Sequence, residues 1–168
     1  MGIAYLISVW LHILAATTWL GGMVFLVLVV VPILRRGDRK SAAALMSASG
    51  KRFRSVGWTC FVVLLITGSF NLWWRGVGFA QLFDMTFAAR GFGLVMWLKL
   101  SVFGLVLILS AVHDFVIGPR ATALLQAAPA GADAERMRRV ASLMGRVTAL
   151  LALVLFALAV VLVRGAVW

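Results

Sequence analysis

The chain has 168 residues, of which 64% are hydrophobic and 12% are charged, and its mean hydropathy is +1.08. Soluble domains are about half apolar and a quarter charged, so this composition excludes an ordinary soluble fold, and it equally excludes a disordered chain. The single cysteine excludes a disulfide scaffold. The net charge of +11 does not indicate nucleic acid binding, because the basic residues lie between apolar segments, as they do in membrane proteins.

Four apolar segments are long enough to cross a bilayer, which takes about 20 residues. We predict membrane helices over residues 3–33, 56–74, 91–117 and 143–163. The first has an apolar stretch too long for a signal peptide, so we expect it to be retained. No long internal repeat is visible. The predicted fold is an all-α membrane protein, in which one domain over residues 1–168 forms a four-helix transmembrane bundle.

The basic residues predict the orientation of this bundle. Only Arg75, Arg90 and Arg164 flank the second connection and the chain ends, whereas twelve bases lie in or beside the first and third connections. The positive-inside rule therefore places both termini of this multi-pass protein outside. We expect the basic connections to contact anionic lipid. The twelve are Arg35, Arg36, Arg39, Lys40, Lys51, Arg52, Arg54, Arg120, Arg136, Arg138, Arg139 and Arg146.

Polar side chains at membrane depth are costly, so each is a functional candidate. His12 and Lys99 both lie about 14 Å inward from the predicted outer ends of their helices, at one level of the membrane. His113 lies about 21 Å from Lys99 along the third helix, too far to share one iron with His12. We predict that His12 and Lys99 bind one haem iron. The alternatives are a hydrogen bond from His12 to a neighbouring helix and a Lys99 side chain that extends to the headgroups.

Other residues were assigned from their positions around His12 and Lys99. Arg75 and Arg90 stand at the outer ends of the second and third helices, where they would pair with haem propionates. Small residues near Trp19 leave room beside His12 for a macrocycle or for a close helix contact. Met96, one turn from Lys99, would join His12 in a copper site. His113 and Asp114 form an interfacial pair near the cytoplasm, with a metal or proton-relay role as the weaker interpretation.

The short motifs of the chain resemble those of the CopD family, named for copper resistance protein D. They are Leu11-His12, Trp19-Leu20-Gly21-Gly22, Pro32 at the end of helix one, Arg52-Phe53, Thr67-Gly68, Leu98-Lys99-Leu100, and His113 with Pro119. The wider superfamily includes HemJ-type protoporphyrinogen oxidases, in which a first-helix histidine and a third-helix lysine are implicated in haem b binding. The resemblance implies the same roles for His12 and Lys99. It also implies one CopD-like domain over residues 1–168 and a location in the bacterial cytoplasmic (inner) membrane. The apolar stretch of residues 25–32 departs from the HemJ pattern, which puts porphyrin oxidation in doubt.

Several functions follow as hypotheses. The first is a haem b protein that transfers electrons near the outer membrane face, as a membrane oxidoreductase or with a redox partner. The second is copper transport or copper resistance, although no pair of methionines one turn apart lines a membrane helix. The third is HemJ-like protoporphyrinogen oxidation in haem synthesis. A homo-oligomer or a subunit of a larger complex fits the same sequence.

Overall fold

The computed structural model describes residues 2–36, 39–89, 91–127 and 131–165. Within these ranges the regular structure is helical and contains no β-strand. Four helical segments there are long and apolar enough to cross a membrane: Ile3–Ile33, Ala48–Trp74, Gly91–Leu124 and Ala132–Arg164. The predicted all-α fold with four membrane helices is therefore confirmed, and the chain is a multi-pass membrane protein.

The chain divides into two compact units, Met1–Gln81 and Leu82–Trp168. The first unit is a helical hairpin in which α1 (Ile3–Phe25) continues through a π-helical segment (Leu26–Val30) into α2 (Val31–Arg36). The hairpin returns along α3 (Arg39–Trp74), which packs on α1. The core of this contact is aromatic: the Trp19 and Phe61 rings lie 5.0 Å apart, and both side chains are buried.

A short connection with a 3-10 turn (Ala80–Phe83) leads to the second unit. This unit begins with α4 (Met85–Ala88), which packs on α5 (Gly91–Val112). A π-helical segment (His113–Ile117) and α6 (Gly118–Ala127) follow, and α7 (Ala132–Arg164) returns along α5. Gly93 is needed where α4 meets α5, because a Cβ at this position would collide with the carbonyl of Phe87.

The second unit is also a helical hairpin. In both hairpins the first long helix is interrupted in the same way: five π-helical residues are followed by a helix that contains a proline. Pro32 and Pro119 are each the second residue after the π-helical segment. Proline lacks the N–H for the helical bond and its ring clashes with the carbonyl four residues earlier. The wider π turn accommodates this misfit. Helix one therefore continues through Pro32 to Arg36, so the expectation that Pro32 closes it was wrong.

The two hairpins also share a short sequence repeat that we did not predict. Trp10-Leu11-His12 and Trp97-Leu98-Lys99 precede Pro32 and Pro119 by the same number of residues. Lys99 thus has the position in the second hairpin that His12 has in the first. The repeat is hard to see in the sequence because the residues between its few matches are apolar in both copies and differ in identity.

The helices extend further than their apolar segments. We predicted membrane helices over residues 56–74 and 143–163, whereas the structure has α3 from Arg39 and α7 from Ala132. Alanine, arginine and methionine are good helix formers, so both helices continue through their basic ends. Gly131 is the N-cap of α7. The prediction of one domain over residues 1–168 stays a prediction.

Candidate functional site

His12 lies in the contact between α1 and α3 of the first hairpin. Its Nδ1 atom is 2.8 Å from the hydroxyl oxygen of Thr67, and the side chain is half-buried. Thr67 is buried and its hydroxyl also lies 2.6 Å from the carbonyl oxygen of Val63, four residues earlier in α3. The imidazole is therefore held by a buried side chain at membrane depth.

The Thr67 hydroxyl determines which nitrogen of His12 carries the hydrogen. Its single hydrogen is donated to the Val63 carbonyl, so its oxygen accepts a hydrogen bond from Nδ1–H of His12. In this neutral tautomer the lone pair is on Nε2. A histidine whose other ring nitrogen donates to a fixed acceptor is the usual arrangement for a metal or haem ligand.

Two further residues hold the first helix against α3 at this level. A Cβ at Gly68 would lie 3.3 Å from Cε1 of His12, so glycine lets the imidazole approach the α3 backbone. One turn earlier in α1, the buried hydroxyl of Ser8 donates to the Thr67 carbonyl at 3.4 Å. The ring of His12 is thus supported both by a hydrogen bond and by close packing.

Asn71 lies one turn from Thr67 on the same face of α3. Its Oδ1 atom is buried and has no hydrogen-bond partner among the described residues. A buried acceptor without a donor costs about 1–3 kcal/mol. A buried acceptor of this kind, one helical turn from the residue that holds His12, can receive a donor from a bound molecule or from water.

Arg75 follows the last residue of α3 and lies at the same end of the hairpin as Asn71. Its Nε atom donates to the hydroxyl oxygen of Tyr5 at 3.3 Å. The Tyr5 ring in turn stacks on Trp74, with 5.8 Å between centroids and 18° between planes. Tyr5 is two helical turns from His12 along α1, or about 10 Å. Arg75 therefore lies at the end of the second membrane helix, as predicted, and Tyr5 holds its side chain.

Trp19 and the small residues near it have a structural use in the first hairpin. Trp19 is 5% exposed and packs on Phe61 and against Gly57. A Cβ at Gly22 would lie 2.5 Å from Cε2 of Phe53, so this glycine admits the phenylalanine ring. We predicted that these small residues leave room for a macrocycle or for a close helix contact. Gly22 leaves room for the close helix contact.

The second hairpin carries the remaining candidates. Met96 is buried on α5, and Lys99, one turn later, is partly exposed. Arg90 lies outside the described residues. The predicted pairing of His12 with Lys99, the copper role of Met96 and the propionate role of Arg90 stay predictions.

His113 and Asp114 are neighbours at the start of the second π-helical segment. His113 Nδ1 lies 3.0 Å from Asp114 Oδ1, and both side chains are partly exposed. The position of this pair at the cytoplasmic interface stays a prediction. Across the described ranges, no group of three or more His, Cys, Asp or Glu residues is placed to hold a metal ion. The arrangement in the first hairpin thus offers a single oriented imidazole.

Sequence reasoning identified His12 but did not identify its partners. Thr67 belongs to a motif to which no contact was assigned, and the roles of Ser8 and Asn71 were not predicted. The signal was available, since Ser8 and His12 share one face of α1, and Thr67, Asn71 and Trp74 share one face of α3. Tyr5 had no polar neighbour in sequence that could have revealed its bond to Arg75.

Comparison with known protein families gives a match over more than half of the chain. The model of the family described as "Domain of unknown function (DUF4149)" matches residues 14–130, which include Thr67, Asn71, Arg75 and Lys99 and begin two residues after His12. A relative from Aquifex aeolicus (strain VF5), described as "Uncharacterized protein", is 33% identical over 112 residues, which are 66% of this chain and 68% of the relative. No solved structure matches. The chain therefore belongs to the DUF4149 family.

Proposed function

We propose that this chain is a CopD-like integral membrane protein that binds haem b through His12 and takes part in electron transfer. The observation that carries the proposal is the imidazole of His12, whose Nδ1 lies 2.8 Å from the buried Thr67 hydroxyl within a membrane-spanning hairpin. A bare metal ion usually needs three or four protein ligands. Haem already supplies four nitrogens, so one imidazole is enough to hold it.

The residues around His12 fit one axial ligand of haem. Thr67 fixes the ring orientation and makes the imidazole a stronger electron donor, because its oxygen accepts the Nδ1 hydrogen. Gly68 allows the ring to rest against α3. Bound haem would supply one-electron redox chemistry, while His12 binds, Thr67 orients, and the apolar helices exclude water. Lys99 is proposed as the second ligand on the CopD resemblance.

The absorption spectrum of the purified protein tests this function. We expect a Soret band with α and β bands on reduction, and their loss in His12→Ala. His113→Ala serves as the control, because it removes the other histidine of the chain without touching α1. Stoichiometric copper without iron porphyrin, together with copper accumulation lost in His12→Ala cells, would instead support copper transport. A protein without haem or copper contradicts both functions.

The proposed location is the bacterial cytoplasmic membrane with both termini outside. Exposed arginines near the start of α7, including Arg136, Arg138 and Arg139, support contact with anionic lipid on the cytoplasmic side. Reporter fusions at Leu125 and at Val77 are expected to report the cytoplasm and the exterior, respectively. The opposite pattern would place the His12 site near the cytoplasmic face. A redox partner or a second copy would then be sought on that side.

A further inference from the structure

At one end of the first hairpin, Tyr5 and Arg75 are held by more contacts than an arginine at a protein surface usually has. α3 ends in a Schellman motif, in which Gly76 has φ +79° and donates to the Trp73 carbonyl, while Val77 donates to the Leu72 carbonyl. This motif fixes the backbone of Arg75, which is the C-cap residue.

The aromatic side chains at this end fix Tyr5 in the same way. The Tyr5 ring stacks on Trp74, and a Cβ at Gly2 would lie 2.9 Å from Cη2 of Trp74. Trp74 is thus confined between the start of α1 and the Tyr5 ring. The hydroxyl of Tyr5 is held at the height of the Arg75 guanidinium, where it accepts the Nε hydrogen.

This contact leaves hydrogen-bond donors without acceptors. Arginine has five N–H groups, and Nε–H is the one that Tyr5 occupies. Among the described residues, nothing accepts from the two Nη groups of Arg75 or from the Tyr5 hydroxyl hydrogen. The Nη1–Nη2 edge of a guanidinium matches the two oxygens of a carboxylate or phosphate.

We infer that Tyr5 and Arg75 form a binding site for an anionic oxygen group, a carboxylate or a phosphate. Arg75 binds it through both Nη groups, and Tyr5 positions the guanidinium by accepting the Nε hydrogen. Two sources can supply this group at the membrane surface: a propionate of haem at His12, two turns away, or the phosphate of a phospholipid. The first source rests on the proposed function, whereas the second does not.

The test compares two probes in Tyr5→Phe and Arg75→Gln. Tyr5→Phe keeps the ring that stacks on Trp74 and removes only the oxygen. The first probe is haem b, whose affinity is compared with that of haem dimethyl ester, in which both propionates are blocked. The second is phosphatidylglycerol added to phosphatidylcholine nanodiscs, with bound lipid counted by native mass spectrometry. Arg164→Gln is the matched control, since Arg164 is also exposed and stands in the last turn of its helix.

A charge-assisted hydrogen bond contributes enough for about a ten-fold change in affinity. We expect both variants to bind one of the two probes about ten-fold more weakly, with Arg164→Gln unchanged. Weakened haem with unchanged dimethyl ester identifies the carboxylate, and weakened phosphatidylglycerol identifies the phosphate. If the wild-type protein binds no haem, the lipid comparison alone decides. Unchanged binding of both probes, or equal loss of haem and its ester with lipid unaffected, overturns the inference.

Discussion

The two hairpins have the same order of elements but differ in what lines their helix contacts. Each has a long apolar helix, a π-helical segment, a proline and a long returning helix. In the first, α3 presents Thr67 to His12. In the second, Lys99 replaces the histidine. Val95, one turn before Lys99, lines a cavity there together with Val161 of α7, and both side chains are apolar.

This difference shows how a repeated scaffold acquires a site. The backbone features shared by the hairpins, such as the π-helical segments before Pro32 and Pro119, follow from proline chemistry and occur in both. The hydroxyl that orients an imidazole occurs in only one of them. The orientation of the histidine thus depends on the residue across the contact, and the repeat itself specifies only the position.

The sharpest test of the comparison removes each of the two equivalent residues. His12→Ala is expected to abolish haem binding, because the imidazole is the proposed ligand. Lys99→Ala is expected to leave haem bound with a shifted, five-coordinate spectrum. Absorption spectra of both purified variants give the answer. An unchanged spectrum in Lys99→Ala would remove that residue from the ligand set.

A second test compares one tightly packed glycine from each hairpin. Gly93→Ala is expected to destabilise the protein by about 3 kcal/mol or more, because the new Cβ meets a backbone carbonyl that cannot turn away. Gly22→Ala is expected to cost less, about 1–2 kcal/mol, because the Phe53 ring can rotate. Reversible unfolding in detergent measures both.

Two glycines in the same helices provide controls for this test. A Cβ at Gly21 in α1 or at Gly104 in α5 meets nothing within 4 Å. Replacing either with alanine should be neutral, or should stabilise the helix by up to about 1 kcal/mol. Equal losses at Gly93 and Gly104 would contradict the packing of α4 on α5.

Thr67→Val tests the feature that separates the first hairpin from the second. It keeps the shape of the side chain but removes the oxygen that accepts the Nδ1 hydrogen of His12. Loss of such a partner usually lowers metal affinity by about 10–100-fold, and we expect haem retention to fall accordingly. Thr59→Val is the control, since the Thr59 hydroxyl bonds only the Ser55 carbonyl of its own helix. Equal retention in both variants would show that Thr67 does not orient the ligand.

Asn71→Leu carries the smallest expected effect. The Asn71 oxygen is buried without a donor, so its removal should stabilise the hairpin by about 1 kcal/mol in the absence of ligand. The free energy of unfolding, measured without and with haem, separates two roles of this residue. If Asn71→Leu stabilises the ligand-free protein and also weakens haem retention, Asn71 belongs to the site. If the variant destabilises the ligand-free protein, the cost assigned to the buried oxygen is wrong.

Some properties could be predicted from the sequence because they depend on composition and local spacing. Four apolar stretches of sufficient length predict membrane helices wherever the chain is placed, since an unpaired backbone in lipid is too costly for any open alternative. His12 could be selected for a similar reason, because a polar ring in an apolar segment is rare and expensive. Its neighbours along α1, such as Ser8, follow from helical periodicity.

Only the tertiary structure decided what His12 contacts. Thr67 is far from His12 in sequence, and the register between two apolar helices depends on how Gly22 receives Phe53 and how Trp19 packs on Phe61. These contacts depend on shape, whereas hydropathy treats all apolar residues alike. The same holds for Tyr5 and Arg75, which the hairpin brings together at the ends of α1 and α3. Composition predicted helices that cross a membrane, and side-chain packing determined which polar atoms meet between them.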